Sequence, residues 1–207
     1  MSAWPGPGIF SVSSSSAWTH HGTRATRCSS RSDSRAGICD SRDRTGFSRR
    51  GGPPTGDEIV LAESEDLLHW SDCGEVLRGR PRYFDERIGS GPPPVKTREG
   101  WLHIYHGVAT HFQSSSLYQA GAVLLDLRDP TRVLARTRDN ILEPREPYEQ
   151  IGQVPNVVFP SGMVVRHEDE EGYAILDSEL LIYYGAADTC VGLATATVRQ
   201  LLAACAG

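Results

Sequence analysis

Short apolar segments recur along most of this chain, separated by turns rich in glycine and proline. From residue 57 onward such a segment returns roughly every 8–15 residues, the spacing typical of sandwiches, barrels and propellers. The segments favour valine, isoleucine, tyrosine and tryptophan, which prefer strands. They do not alternate with long helical segments, which argues against a parallel-sheet enzyme fold. The pattern predicts an all-β domain over residues 57–207.

Two of these segments resemble each other in sequence. WLHIYHG (101–107) and ELLIYYG (179–185) both combine an aromatic strand with a following glycine. Weak repeats of this kind are typical of propeller blades, so they favour a propeller over a sandwich or a barrel. The final segment, 198–206, is rich in leucine, glutamine and alanine and is predicted to form a short helix.

Residues 1–56 have a different composition. Residues 1–50 contain twelve serines and eight arginines and show neither helical nor strand periodicity. Such a segment cannot bury enough apolar surface to offset the entropy of the chain, so it is expected to be disordered. A functional Arg-Ser tail and an out-of-frame or misplaced translation start are the alternatives.

Charge and cysteine content restrict the partners and the compartment. The net charge is −5, and since residues 1–50 carry +5, residues 51–207 carry −10, which argues against a nucleic-acid partner. The five cysteines include no CxxC pair, so neither a zinc site nor a disulfide framework is indicated. No apolar run reaches the length of a membrane span, and no signal peptide is recognisable. A cytoplasmic location is expected.

A glycine- and proline-rich loop precedes the strongest strand signal of the chain. The stretch RIGSGPPPVKTREGWLHIYHGV (87–108) contains three consecutive prolines and Lys96, the only lysine of the chain. Prolines fix φ and cannot donate a hydrogen bond, so Lys96 is expected to leave a stiff segment outside the strand ladder. The local pattern fits an ordinary turn as well as a binding site.

Several motifs occur in the order found in one family of enzymes. The motifs are 61–70 (LAESEDLLHW), 87–108, 118–130 (YQAGAVLLDLRDP), 154–165 (VPNVVFPSGMVV) and 181–196 (LIYYGAADTCVGLATA). Over residues 57–207 the chain resembles glycoside hydrolase family 130, the β-1,4-mannoside phosphorylases and related enzymes. The resemblance implies a five-bladed β-propeller, of which this chain would supply about three blades and the C-terminal helix.

The resemblance also implies an activity. Members of this family cleave β-mannosides by inverting phosphorolysis to mannose 1-phosphate, and some are hydrolases. The implied partners are a β-mannoside oligosaccharide and inorganic phosphate as co-substrate, with no metal or organic cofactor. A homo-oligomer is compatible with the resemblance.

Six residues match positions of the family's substrate site. Lys96 resembles its phosphate-binding lysine, and Arg87 could supply a second cation, since cationic donors stabilise a bound phosphate. A sugar-binding role is implied for Asp188 and, from weaker matches, for His106, Asn156 and Tyr118. A solvated lysine, a surface arginine, a plain strand-end histidine and a simple turn aspartate are the alternatives for Lys96, Arg87, His106 and Asp188.

The general acid of the family has no recognisable counterpart here. Asp33, Asp40 and Asp43 lie in the Ser/Arg-rich segment, so no catalytic role is assigned to them. The chain is therefore expected to be a truncated copy with little or no turnover of its own, because losing general acid catalysis typically costs about 10²–10⁴ in rate. The alternatives are a non-catalytic carbohydrate-binding remnant and a β-mannoside hydrolase.

Overall fold

Three antiparallel sheets and a C-terminal helix make up the structure. The computed structural model describes residues 11–15, 35–40, 58–64, 71–109 and 116–207. The sheets follow one another along the chain and pack face to face, as propeller blades do. The prediction of an all-β fold with a short C-terminal helix is confirmed.

The first sheet contains three strands in the order β2-β3-β4. They are β2 (Arg35–Asp40), β3 (Glu58–Ser64) and β4 (Ser71–Arg78). Ile59 and Leu61 of β3 are buried on alternate positions and face the next sheet.

The middle sheet has the order β5-β7-β8-β9, and β6 also pairs with β7. Its strands are β5 (Arg87–Ser90), β6 (Val95–Lys96), β7 (Trp101–Ala109), β8 (Leu117–Leu125) and β9 (Val133–Arg136). Strands β5 and β6 pair with opposite halves of β7, so together they form one inner edge strand interrupted by the glycine-proline loop.

The last sheet has the order β10-β11-β12-β1. Its strands are β10 (Val158–Val165), β11 (Glu179–Ala186), β12 (Cys190–Thr197) and β1 (Ser11–Ser15). A single-turn helix, α1 (Pro147–Gln150), precedes β10, and α2 (Val198–Ala206) follows β12 directly. Thr197 caps α2 by accepting a hydrogen bond from the backbone N–H of Gln200, and the backbone N–H of Thr197 donates in turn to Gln200 Oε1.

Two apolar cores lie on either side of the middle sheet. Leu102 and Ile104 of β7 pack with the last sheet and α2, whereas Tyr105 of the same strand packs against the first sheet. This follows from the alternation of side chains along a strand. Because β7 is buried on both faces, it reads as a nearly continuous apolar segment rather than as an alternating one.

The structure corrects one detail of the sequence-based interpretation. Lys96 does not leave a segment outside the ladder, because Val95 and Lys96 pair with Leu102 and Trp101. Only the glycine-proline part between β5 and β6 leaves the sheet. The single turn of α1 begins at Pro147, a favourable residue for a first helical position.

Residues 1–56 contribute two of the described strands. β1 pairs with β12, and β2 pairs with β3. Both lie at the edge of a sheet, where backbone hydrogen bonds to a neighbouring strand need no particular side-chain pattern, so composition did not reveal them. The rest of this segment lies outside the described residues. Among the helices that the structure describes, none is long and apolar enough to cross a membrane.

Candidate active site

One end of the middle sheet collects three of the residues singled out from the sequence. Val108 of β7 pairs with Arg87 of β5 on one side and with Tyr118 of β8 on the other. Directly opposed residues of antiparallel strands point to the same face, so Arg87 and Tyr118 share the face of Val108. His106 lies two residues back on β7 and shares that face as well.

An aromatic cluster surrounds His106. Its ring centroid lies 4.4 Å from that of Phe159 in β10 and 6.1 Å from that of Tyr118. His106 is only 7% exposed, whereas Tyr118 and Phe159 are half-buried. Half-buried aromatic rings at a sheet face that also carries a cationic arginine form a surface on which a sugar ring could stack.

Asn156 joins the last sheet to this end of the middle sheet. Its carbonyl oxygen accepts a hydrogen bond from Tyr118 N at 3.0 Å, and the following residue, Val157, forms a parallel bridge with Tyr118. Asn156 has a φ of 60°, in the left-handed region that asparagine tolerates better than most residues. Its backbone conformation thus brings the chain alongside the start of β8 immediately before β10.

Asp188 is the exposed tip of the turn between β11 and β12. Ala187 and Asp188 both have positive φ values, 47° and 50°, and Thr189 N donates to Ala186 O at 3.0 Å to close the turn. Ala187 N donates to Val157 O at 3.0 Å, next to Asn156. The backbone contacts therefore connect the turn of Asp188 to the same end of the sheets as Asn156 and Tyr118.

Lys96 lies at the other end of β7. It pairs with Trp101, whereas Arg87 pairs with Val108, about 23 Å further along β7 at the usual rise per residue of a strand. The Lys96 ammonium lies 4.1 Å from the ring centroid of Tyr173, a cation–π distance. The structure therefore brings together Arg87, His106, Tyr118, Asn156 and Asp188, and it places Lys96 apart from them.

A buried carboxylate that the sequence analysis did not single out lies just before β5. Asp85 is fully buried and accepts hydrogen bonds from Arg80 Nη2 at 2.8 Å, Arg136 Nη2 at 2.6 Å and Tyr105 Oη at 2.8 Å. Burial raises the pKa of Tyr105 well above its ordinary value, so its hydroxyl stays protonated and donates. In the sequence, Asp85 is only an aspartate between Arg80 and the start of a strand, and nothing there indicates its burial.

A second buried carboxylate lies before β10. Glu149 of α1 accepts a hydrogen bond from Tyr184 Oη at 2.6 Å and others from the backbone N–H groups of Arg145 and Glu146. Burial, followed by the hydrogen bond to Glu149, raises the pKa of Tyr184 far above its ordinary value. The residues next to Glu149 in the sequence do not indicate that its side chain is buried.

The described residues contain no cluster of metal ligands, and their two fully buried carboxylates are already hydrogen-bonded. No group of three or more His, Cys, Asp and Glu side chains is arranged to hold a metal ion in the part of the chain that the structure describes. Asp85 and Glu149 are fully engaged in hydrogen bonds. Asp33 and Asp43 lie outside the described residues, and for Asp40 in β2 only the backbone is described.

Comparison with known proteins identifies a family over most of the chain. The sequence profile of glycoside hydrolase family 130, described as β-1,4-mannooligosaccharide phosphorylase, matches residues 49–206. Among curated relatives, a 1,2-β-oligomannan phosphorylase of Thermoanaerobacter sp. is 39% identical over 145 residues, covering 70% of this chain and 44% of its own. A β-1,4-mannooligosaccharide phosphorylase of Ruminococcus albus is 35% identical over 152 residues, covering 73% and 42%.

Solved structures agree with the sequence comparison. The β-1,2-mannobiose phosphorylase of Listeria innocua, in complex with β-1,2-mannobiose, superposes with a TM-score of 0.67 at 34% identity, covering 84% of this chain and 43% of its own. A member of family 130 from a study of hydrolases of β-1,2-mannosidic linkages in Candida mannan superposes with a TM-score of 0.58 at 29% identity, covering 69% and 41%. The chain thus spans less than half the length of these relatives.

Proposed function

Because the chain belongs to glycoside hydrolase family 130, we propose that it acts on β-linked mannosides and inorganic phosphate, in a phosphorolysis that yields mannose 1-phosphate. The turnover of this chain alone is expected to be slow, because none of its residues is assigned as the general acid. The observation that carries the proposal is the convergence of Arg87, His106, Tyr118, Asn156 and Asp188 at one end of two adjacent sheets. These residues supply a cation, aromatic surface and hydrogen-bonding groups, which is the set that a sugar and a phosphate require.

The chemistry assigns the guanidinium of Arg87 to the phosphate. A phosphate oxygen attacks the anomeric carbon while the bond to the leaving oxygen breaks, and that oxygen takes a proton. Guanidinium groups bind phosphate oxygens with two parallel hydrogen bonds, so Arg87 would hold the attacking group in line. Lys96 would meet a different part of the ligand, because its position on the inner strand is far from that of Arg87.

The remaining residues suit the mannose ring. Asp188 is exposed and can accept hydrogen bonds from two sugar hydroxyls, and Asn156 can donate and accept at the same time. The rings of Tyr118 and Phe159 beside His106 offer an apolar face for the sugar carbons. The proposal requires no metal and no organic cofactor, and none of the described residues is assigned as the general acid.

The test combines a product assay with two variants. The protein is incubated with β-1,2-mannobiose or β-1,4-mannobiose, with and without inorganic phosphate, and mannose 1-phosphate is quantified. Phosphate binding is measured in parallel by calorimetry. Phosphate-dependent mannose 1-phosphate supports the proposal. Release of free mannose without phosphate would contradict the proposed phosphorolysis and indicate a hydrolase. Sugar binding with neither product would indicate a carbohydrate-binding protein.

The variants locate the site. Arg87→Ala is expected to weaken phosphate binding at least about tenfold, since it removes a charge-assisted bidentate contact. Arg128→Ala is the matched control, because it removes the same charge from an exposed turn beyond the far end of β8. Equal losses in the two variants would point to a general effect of net charge and against Arg87 as a phosphate ligand.

A further inference from the structure

The buried network around Asp85 ties several strand ends together. Arg80 binds Asp85 and also donates to the carbonyl oxygen of Thr137 at 3.0 Å, beyond the end of β9. Arg136 of β9 binds Asp85 and also donates to Tyr105 Oη at 3.0 Å and to Arg78 O at 2.8 Å, at the end of β4. The segment that enters β5 is therefore bound to β4, β7 and β9 through one carboxylate.

Close backbone packing reinforces this arrangement. A Cβ atom on Gly107 would lie 2.7 Å from Asp85 Cβ, and a Cβ atom on Gly79 would lie 2.2 Å from Glu86 O. Both distances are shorter than any tolerable contact, so the chain at residues 85–86 fits between two glycines that leave it no free space. Arg87 follows this segment directly.

A second buried tyrosine donates a hydrogen bond to a second buried carboxylate in the neighbouring sheet. Tyr184 of β11 donates to Glu149, as Tyr105 of β7 donates to Asp85. Asp85 lies in the connection that leads to β5, and Glu149 lies in the connection that leads to β10. Each of these strands is the first in the order of its sheet. The carbonyl oxygen of Glu149 also accepts a hydrogen bond from Val157 N at 3.1 Å, next to Asn156. In both sheets a buried tyrosine–carboxylate pair thus precedes a residue of the candidate site.

We propose that Asp85 and Tyr105 are positioning residues, which hold the beginning of β5 and thereby fix Arg87 in the phosphate subsite. This inference rests on the proposed function for the phosphate, whereas the holding of β5 rests on the structure alone. Neither residue touches the ligand. Asp85 acts through the backbone it anchors, and Tyr105 acts through Asp85.

The most informative variant is Tyr105→Phe, because replacing Asp85 would leave the partly buried Arg80 and Arg136 without their carboxylate and could prevent folding. Tyr105→Phe removes one hydroxyl and keeps the ring. Tyr184→Phe is the matched control, since it removes the equivalent hydroxyl in the neighbouring sheet without altering the network of Asp85.

The first measurement is amide hydrogen exchange, which needs no ligand. In Tyr105→Phe, exchange at residues 87–90 is expected to accelerate about tenfold relative to the wild type, while exchange in β11 and β12 stays unchanged. Tyr184→Phe is expected to leave exchange at residues 87–90 as it is. An equal acceleration in both variants, or none at residues 87–90 in Tyr105→Phe, would overturn the inference.

The second measurement asks whether the effect passes through Arg87. Calorimetry with inorganic phosphate is expected to show about threefold to tenfold weaker binding in Tyr105→Phe, and no further loss when Tyr105→Phe is added to Arg87→Ala. A purely structural role would weaken binding equally in both backgrounds and would contradict the positioning role. If the wild-type protein binds no phosphate, the proposed function fails, and hydrogen exchange still decides whether Asp85 and Tyr105 hold β5.

Discussion

At the scale of single residues, His103 of β7 is a buried histidine whose protonation depends on its surroundings. It is 1% exposed within β7, and its Nε2 atom lies 3.3 Å from Ser90 Oγ at the end of β5. Its Nδ1 atom has no hydrogen-bond partner among the described residues. Desolvation lowers the pKa of His103 from 6.5 to about 4, so the imidazole is neutral in the folded protein at neutral pH.

This shift predicts a pH dependence of stability. The folded state binds the proton of His103 less readily than the unfolded state, so its contribution is fully present above pH 6.5 and is lost as the pH falls towards about 4. His103→Gln cannot titrate and is expected to remove up to about 3 kcal/mol of this pH-dependent loss. The measurement is urea unfolding of both proteins near neutral pH and in mild acid.

The control for this prediction is His167→Gln, which removes an exposed histidine. It is expected to keep the acid sensitivity of the wild type. Parallel loss of stability in the wild type and in His103→Gln would show that other groups cause the acid sensitivity.

The candidate site shows what could be predicted at this scale. Arg87, His106, Tyr118, Asn156 and Asp188 were found because they belong to motifs in a recognisable order, and the structure brings them to one end of the sheets. The separation of Lys96 from Arg87 depends on which residues of β7 each one pairs with. Pairing register is a long-range property that the eight intervening residues do not encode.

At the scale of the element, two tyrosine–glycine pairs shape the second and third strands of their sheets. Tyr105 of β7 lies opposite Gly121 of β8, and Tyr184 of β11 lies opposite Gly192 of β12. A Cβ atom would lie 2.4 Å from Tyr105 Cζ at Gly121 and 2.3 Å from Tyr184 Cζ at Gly192. In each sheet the phenol ring thus covers the glycine of the neighbouring strand.

Gly192→Ala is therefore expected to destabilise the protein by about 1–3 kcal/mol, because the added methyl group would displace a buried ring. Gly185→Ala is the control: its Cβ atom would lie 3.9 Å from Phe159 Cβ, an ordinary contact, and the change should stay within about 0.5 kcal/mol. The measurement is chemical denaturation. Equal destabilisation in both variants would argue against the steric explanation.

These pairs also refine the repeat seen in the sequence. WLHIYHG and ELLIYYG share leucine, isoleucine, tyrosine and glycine, four of seven positions, when Tyr105 is aligned with Tyr183. The structure instead makes Tyr105 equivalent to Tyr184, since both face the preceding sheet, cover a glycine and donate to a buried carboxylate. The shared letters therefore do not occupy equivalent positions, because the equivalence depends on which face of each strand is buried. Two adjacent tyrosines leave that choice open.

At the scale of the whole molecule, helix α2 closes the core between the middle and last sheets. Val198, Leu201 and Cys205 are buried there, and the helix contacts β8, β9 and β12. Burial raises the pKa of the Cys205 thiol to about 12, so this cysteine acts as an apolar packing residue.

Leu201→Ala is expected to lower the free energy of unfolding by about 2–5 kcal/mol, since it leaves a cavity in a core shared by two sheets. Arg199→Ala on the exposed side of α2 removes an ion pair with Asp177 in solvent and should change stability little. Urea denaturation of the two variants makes the comparison. A small effect of Leu201→Ala would mean that α2 contributes little to joining the sheets.

The overall architecture was largely accessible from the sequence, because short apolar strands, glycine-proline turns and the final helix each carry a local signal. What the sequence did not reveal comes from contacts between distant segments. β1 and β2 are held by backbone pairing to sheet edges, and the burial of Asp85 and Glu149 results from residues far away in the chain. The number of blades in the complete propeller stays a prediction.

The turn of Asp188 also determines when its hairpin can close during folding. Alanine pays a steric penalty in the left-handed conformation that Ala187 adopts, so the isolated hairpin lacks a favourable turn. Ala187 is held there by hydrogen bonds to Val157 O and from Val154 N. We therefore expect β11 and β12 to close completely only once segment 154–157 is in place. The tip that presents Asp188 is then expected to form late in folding, with low φ-values for substitutions in the turn.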